Sequence, residues 1–135
     1  MTTVASTEVV RDAGRSFALV GRICTWLLVA QLLSSGVMLL ARPEVVRSVV
    51  AHLGYPDYFP VILGAAKLLG ALAIAHPRGG VLAEWAYAGA TFDVVAVVAS
   101  HATLGDSLGE TLAPLVVLAV IAGSYARFRA RKEET

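Results

Sequence analysis

The sequence is short of the residues on which most soluble domains depend. Only 16% of its 135 residues are charged, against about 25% in soluble domains. The net charge is +1, so the chain lacks the basic balance of a nucleic-acid binder, and no nucleic-acid partner is expected. A single cysteine, Cys24, excludes an intrachain disulfide and a cysteine-only metal site. It lies in an apolar run, where a thiol serves as a small packing group. No phosphate loop, nucleophile elbow or HExxH pattern occurs. His52, His76 and His101 are too scattered for the i, i+3 or i+4 spacing of metal ligands on a helix, so no metal site is expected. The opening residues, MTTVASTEVVRDAGR, lack the basic start and apolar core of a secretory signal.

What the chain has in excess is apolar surface. It is 57% hydrophobic, with a mean hydropathy of +0.72. Its length fits one domain. Together these indicate an all-α integral membrane four-helix bundle, with a short interfacial helix between the first and second spans. The expected parts are a polar N-terminal arm over 1–15, a four-span domain over 16–128 and a charged cytoplasmic tail over 129–135.

The first span is expected from about Phe17 to Leu40, long enough to cross a hydrocarbon core of roughly 30 Å. Arg42-Pro43 should end it, because proline disfavours helix in the residue before it. In residues 43–54, Val45, Val46, Val49, Val50 and Leu53 recur at helical spacing with Glu44, Arg47 and Ser48 between them. That pattern suits an amphipathic helix at the interface, stopped by Gly54. The second span is expected from Asp57, as its cap, to Ala75. Tyr55, Tyr58 and Phe59 suit an interfacial aromatic belt. His76-Pro77-Arg78-Gly79-Gly80 is a tight turn, making spans two and three antiparallel neighbours. The third span ends near His101. An acidic loop follows over 103–110, and the fourth span begins near Thr111, with Pro114 in its first turn. Arg127, Arg129, Arg131 and Lys132 favour the cytoplasmic side, giving a multi-pass plasma-membrane protein with both termini inside.

Ionisable residues inside spans are costly, at about 2.5–3.5 kcal/mol each on insertion scales, and mark candidate sites. Lys67 and Asp93 are the deepest. Lys67 lies about 11 residues before the central turn and Asp93 about 13 after it, so their depths agree within about 3 Å. They are expected to pair. On an ideal helix Gly89 and Ser100 fall within about 40° of Asp93, and Trp85 and His101 about 80° away. His101 is roughly 12 Å along the axis from Asp93. It can line the same cavity without touching Asp93. Glu84 points about 180° from Asp93.

The stretches LGYPDYFPVILGAAKLLGALAIAHPR and EWAYAGATFDVVAVVASH, followed by a Pro-containing span and a basic tail, resemble the DoxX-like family of small bacterial membrane proteins. The resemblance covers about residues 17–128. Its most specific parts are Gly54-Tyr55-Pro56, Lys67 with Gly70, Glu84 to Gly89, and Ser100-His101. It implies a four-helix membrane bundle and an association with respiratory and thiol redox chemistry, so a redox partner protein and a quinone are implied. With Cys24 alone, a dithiol mechanism within this chain is not supported. Including Glu84 with Asp93 in one site rests on this resemblance.

Three readings follow. In the first, a redox-associated subunit binds a quinone or other lipophilic molecule beside Lys67, Asp93 and His101, with Trp85, Tyr87, Gly89, Ser100 and Glu84 as further lining. In the second, a membrane enzyme isomerises, cyclises or opens an epoxide in a lipophilic substrate, with Asp93 as base and Lys67 or His101 as acid. In the third, the charges only fix helix pairing in a scaffold. Self-association is open in all three.

Overall fold

A computed structural model describes residues 2–134. Among them there are five helices and no strand: α1 (Thr2–Ala41), α2 (Glu44–His52), α3 (Phe59–Ala75), α4 (Gly80–Leu104) and α5 (Leu108–Glu133). α1, α4 and α5 are each long and apolar enough to cross a membrane. α3 is apolar but has 17 residues, about 26 Å of helix.

α1, α3, α4 and α5 form a closed ring, in which α1 and α4 each pack against both α3 and α5. Leu28 and Leu32 from α1, Ile74 from α3, Tyr87 and Val94 from α4 and Ile121 from α5 fill the middle. The core is thin, and large apolar side chains cover the outside. Trp26, Leu69, Leu72 and Phe92 are all more than half exposed. Water would penalise such a surface, whereas hydrocarbon accepts it.

Two glycine contacts set the helix spacing. A Cβ on Gly36 would lie 3.0 Å from the Gly64 carbonyl oxygen, and one on Gly64 would lie 2.9 Å from that of Gly36. The α1 and α3 backbones therefore touch directly, as small residues permit in membrane bundles. On the other side of α1, a Cβ on Gly123 would meet the Cys24 sulfur at 2.8 Å. Cys24 is thus a packing group against α5.

The helix ends follow local chemistry. α1 stops before Pro43, and Arg42 takes a left-handed φ of 52°, an uncommon conformation for a side-chain-bearing residue. Its guanidinium donates to the Asp57 carbonyl, tying α1 to the segment entering α3. α2 ends at Gly54 with φ 76°. There Gly54 donates to Ala51 and Tyr55 to Val50, the paired bonds of a glycine-terminated helix. No residue of α2 is buried.

Several expected boundaries shift. From Thr2 onward the expected arm is helical and continuous with the first apolar run, because no glycine-proline break separates them. Residues 4–20 are exposed throughout, and from residue 4 onward Gly21 is the first buried position, so this part of α1 projects beyond the ring. Asp57 does not cap α3. The helix begins two residues later, with Tyr58 at its cap position and no side-chain cap bond. α5 begins at Leu108 rather than Thr111. The Ser107 hydroxyl accepts from the Glu110 amide, and the Glu110 carboxylate accepts from the Ser107 amide, a capping box that starts the helix early. Pro114 consequently lies inside α5 and not in its first turn.

Candidate functional site

Lys67 and Asp93 face each other across the α3–α4 contact. The Lys67 ammonium donates to Asp93 Oδ2. Their side chains are only 11% and 16% exposed, so the charges neutralise one another away from water. The pair sits where small residues hold the two helices close. A Cβ on Gly70 would reach the Ala86 Cβ at 3.7 Å, ordinary contact distance.

Beside the pair is a cleft of about 330 Å³, lined by Lys67, Asp93, Gly70, Trp85, Gly89 and Leu32 among others. The volume lies in the range of small-molecule sites, about 300–1,000 Å³. Gly89 has no atom near its missing Cβ, which leaves room beside Asp93. Trp85 is 71% exposed, so the cleft's aromatic wall reaches the outer, apolar surface. The arrangement offers an ammonium donor, a carboxylate acceptor and an aromatic face at one opening.

The other expected site residues lie elsewhere. Glu84 accepts from Lys132 at 2.8 Å, joining the start of α4 to the end of α5, so the grouping of Glu84 with Asp93 is not seen. The Ser100 hydroxyl bonds to the Ala96 carbonyl and to the Tyr55 hydroxyl, at 2.8 Å each. Tyr87 lies in the core. Its hydroxyl is 2.7 Å from that of Ser124, which is 2.9 Å from Thr25 Oγ1. Thr25 donates to the Gly21 carbonyl, so it accepts from Ser124, and Ser124 accepts from Tyr87. All three hydroxyl protons are used, and the chain ends on backbone. Tyr125 and Phe128 pack against the Tyr87 ring at centroid distances of 5.3 and 5.4 Å.

A family model described as the DoxX-like family matches residues 23–124. The chain belongs to the DoxX-like family. No curated protein and no solved structure matched it.

In this DoxX-like chain, His101 belongs to a different cluster from Lys67 and Asp93. Its Nδ1 is 2.6 Å from Asp106 Oδ2, and His52 Nε2 is 3.0 Å from Asp106 Oδ1. Asp106 thus clasps the end of α2 to the end of α4. Its carboxyl is held below the ordinary carboxylate range, first by the hydrogen bond from His101 and then by that from His52. The geometry comes from Gly105, which has φ 73°. Gly105 donates to Ala102 and Asp106 to His101, and this turn folds Asp106 back over the histidine. Sequence reasoning missed Asp106 as a partner, although glycine followed by aspartate at a helix end carried the signal. Among the described residues, no three His, Cys, Asp or Glu side chains have the arrangement of a metal site.

Proposed function

We propose that this protein is a four-span plasma-membrane protein that binds a lipophilic molecule with a polar carbonyl head, of quinone type, in the α3–α4 cleft. It would serve as a redox-associated membrane subunit. The observation that carries the reading is the Lys67–Asp93 pair at a cleft open to the apolar surface. A ligand tail would lie along the exposed wall near Trp85, in the lipid. Its carbonyl would accept from Lys67, with Asp93 holding the ammonium in place. Family membership supports the membrane setting.

The topology fits the same reading. α3 spans with help from its flanks, where Tyr55 and Phe59 stack at 4.6 Å and act as interfacial anchors. α2, amphipathic and unburied, lies along the interface. Arg78, Arg127, Arg129, Arg131 and Lys132 gather at one end of the ring, which is therefore the cytoplasmic end.

The test uses tryptophan fluorescence. The chain has two tryptophans, Trp26 and Trp85. In a Trp26→Phe background, a short-chain quinone added to protein in lipid nanodiscs should quench Trp85 saturably. Lys67→Gln should weaken that binding tenfold or more, the cost of about one charge-assisted hydrogen bond. Quenching that does not saturate, or that ignores Lys67→Gln, would reject the proposal.

A second reading has one observation in its favour. Among the described residues no buried side-chain nitrogen or oxygen lacks a hydrogen-bond partner. Lys67 and Asp93 therefore satisfy each other, as a purely pairing role would require. Exchanging the two residues separates the readings.

A further inference from the structure

A second cavity lies at the basic end of the ring, away from the Lys67–Asp93 cleft. It measures about 340 Å³ and is lined by Arg78, Arg127, Arg131, Lys132 and His76, with Phe128 among its apolar walls. Its Arg and Lys cations come from two elements: Arg78 from the α3–α4 turn, and Arg127, Arg131 and Lys132 from the last turns of α5. Among the described residues, no carboxylate lines it. The nearby Glu84 is engaged by Lys132.

The cations are also crowded. Arg127 and Arg131 stand at i, i+4 on α5, a like-charge spacing that opposes the helix. Arg127 feels the positive charges of both Arg131 and Arg22. Its position is fixed by packing, since its Cβ and Cδ lie where a Cβ on Gly21 would reach, at 2.6 and 2.8 Å. A general bias of basic residues toward one membrane face asks only for charge at that end. It does not ask for charges from two elements to converge on a cavity. The polar floor contributes no donor, because the protons of Tyr87 and Thr25 are committed to the hydroxyl chain. Recognition there falls to the cations, and the apolar walls suit the neighbouring part of an amphiphile.

We propose that this cavity binds a phosphate group whose negative charge no cation of the same molecule offsets, carried by an anionic phospholipid or by a soluble phosphate ester. Basic pockets between membrane helices take such head groups. Arginine forks match phosphate oxygens in pairs. The site is independent of the quinone-type reading, since it shares no lining residue with the α3–α4 cleft.

The test measures thermal stabilisation of the purified full-length protein. The additions are phosphatidylglycerol, phosphatidylcholine and inorganic phosphate, each separately. Phosphatidylglycerol should raise the melting temperature well above the effect of phosphatidylcholine. The Arg78→Gln/Arg131→Gln variant should lose that preference, its apparent affinity for phosphatidylglycerol falling about tenfold or more. Arg47→Gln, on α2 at the opposite end, should leave it unchanged. If the double variant does not fold, Arg78→Gln alone, in the exposed turn, should produce part of the same loss. A matching shift with inorganic phosphate would assign the site to soluble phosphate compounds, and a shift with phosphatidylglycerol alone to lipid. Equal stabilisation by both lipids with none from phosphate, or a preference that survives the arginine variants, would overturn the proposal.

Discussion

Two polar clusters inside the ring make opposite uses of the same environment. The Tyr87–Ser124–Thr25 chain is neutral, lies at the centre and ends on the Gly21 carbonyl. Ser124 is fully buried and Tyr87 is 4% exposed. The Lys67–Asp93 pair is charged, lies at a helix seam and borders a cleft. Buried hydroxyls are cheap once every proton has an acceptor. Buried charges remain expensive even when paired, and replacing such a pair with apolar residues is often neutral or stabilising. The hydroxyl chain therefore needs no reason beyond holding α1, α4 and α5 together. The ion pair does need one, and the ligand site proposed in the adjoining cleft would supply it.

Breaking the ion pair should have the largest effect. Lys67→Met leaves Asp93 without its partner and should destabilise the fold by about 3–5 kcal/mol, read as a lowered melting temperature in detergent. Lys67→Met with Asp93→Leu should recover most of that stability and bind no quinone. A milder loss is expected from the helix seam itself. Gly64→Val drives a side chain into the Gly36 carbonyl and should cost about 1–3 kcal/mol by the same measurement. Tyr87→Phe removes one member of the hydroxyl chain and should cost about 1 kcal/mol. It should leave quinone quenching and lipid preference intact, and a loss of either would erase the contrast between the clusters.

The smallest effect concerns the Asp106 clasp. Its carboxyl titrates lower in the folded state than in the unfolded chain. The clasp's contribution is therefore complete above the unfolded carboxylate's pKa and disappears as pH falls through the lower, folded value. A carbon-detected titration of Asp106 should find it still ionised at a pH where ordinary aspartates are half protonated. In Asp106→Asn, amide exchange in α2 should lose that pH dependence.

How much of this was readable in advance depended on the distance over which residues had to be related. Lys67 and Asp93 could be matched because they flank one tight turn, so counting along two helices gives their relative depth. Pro43 and Gly54 announced helix ends through purely local chemistry. Ser107 and Glu110 announced another, and overlooking them placed the start of α5 three residues late. Helical angles put Ser100 on the same face as Asp93, yet Tyr55 engages it from the segment before α3. His101 could not be placed without the turn at Gly105. Thr25 and Ser124 are 99 residues apart, and no periodicity connects them. Their contact exists only once the ring has closed.

The most direct measurement is made on the exchanged variant Lys67→Asp/Asp93→Lys in the Trp26→Phe background, reading melting temperature and quinone quenching together. The proposed ligand role of Lys67 predicts that stability returns close to that of the parent. Saturable quenching of Trp85 should stay at least tenfold weaker, because the ammonium now projects from the opposite wall of the cleft. Recovery of stability together with full quinone affinity would contradict it, leaving Lys67 and Asp93 as a device for pairing helices and nothing more.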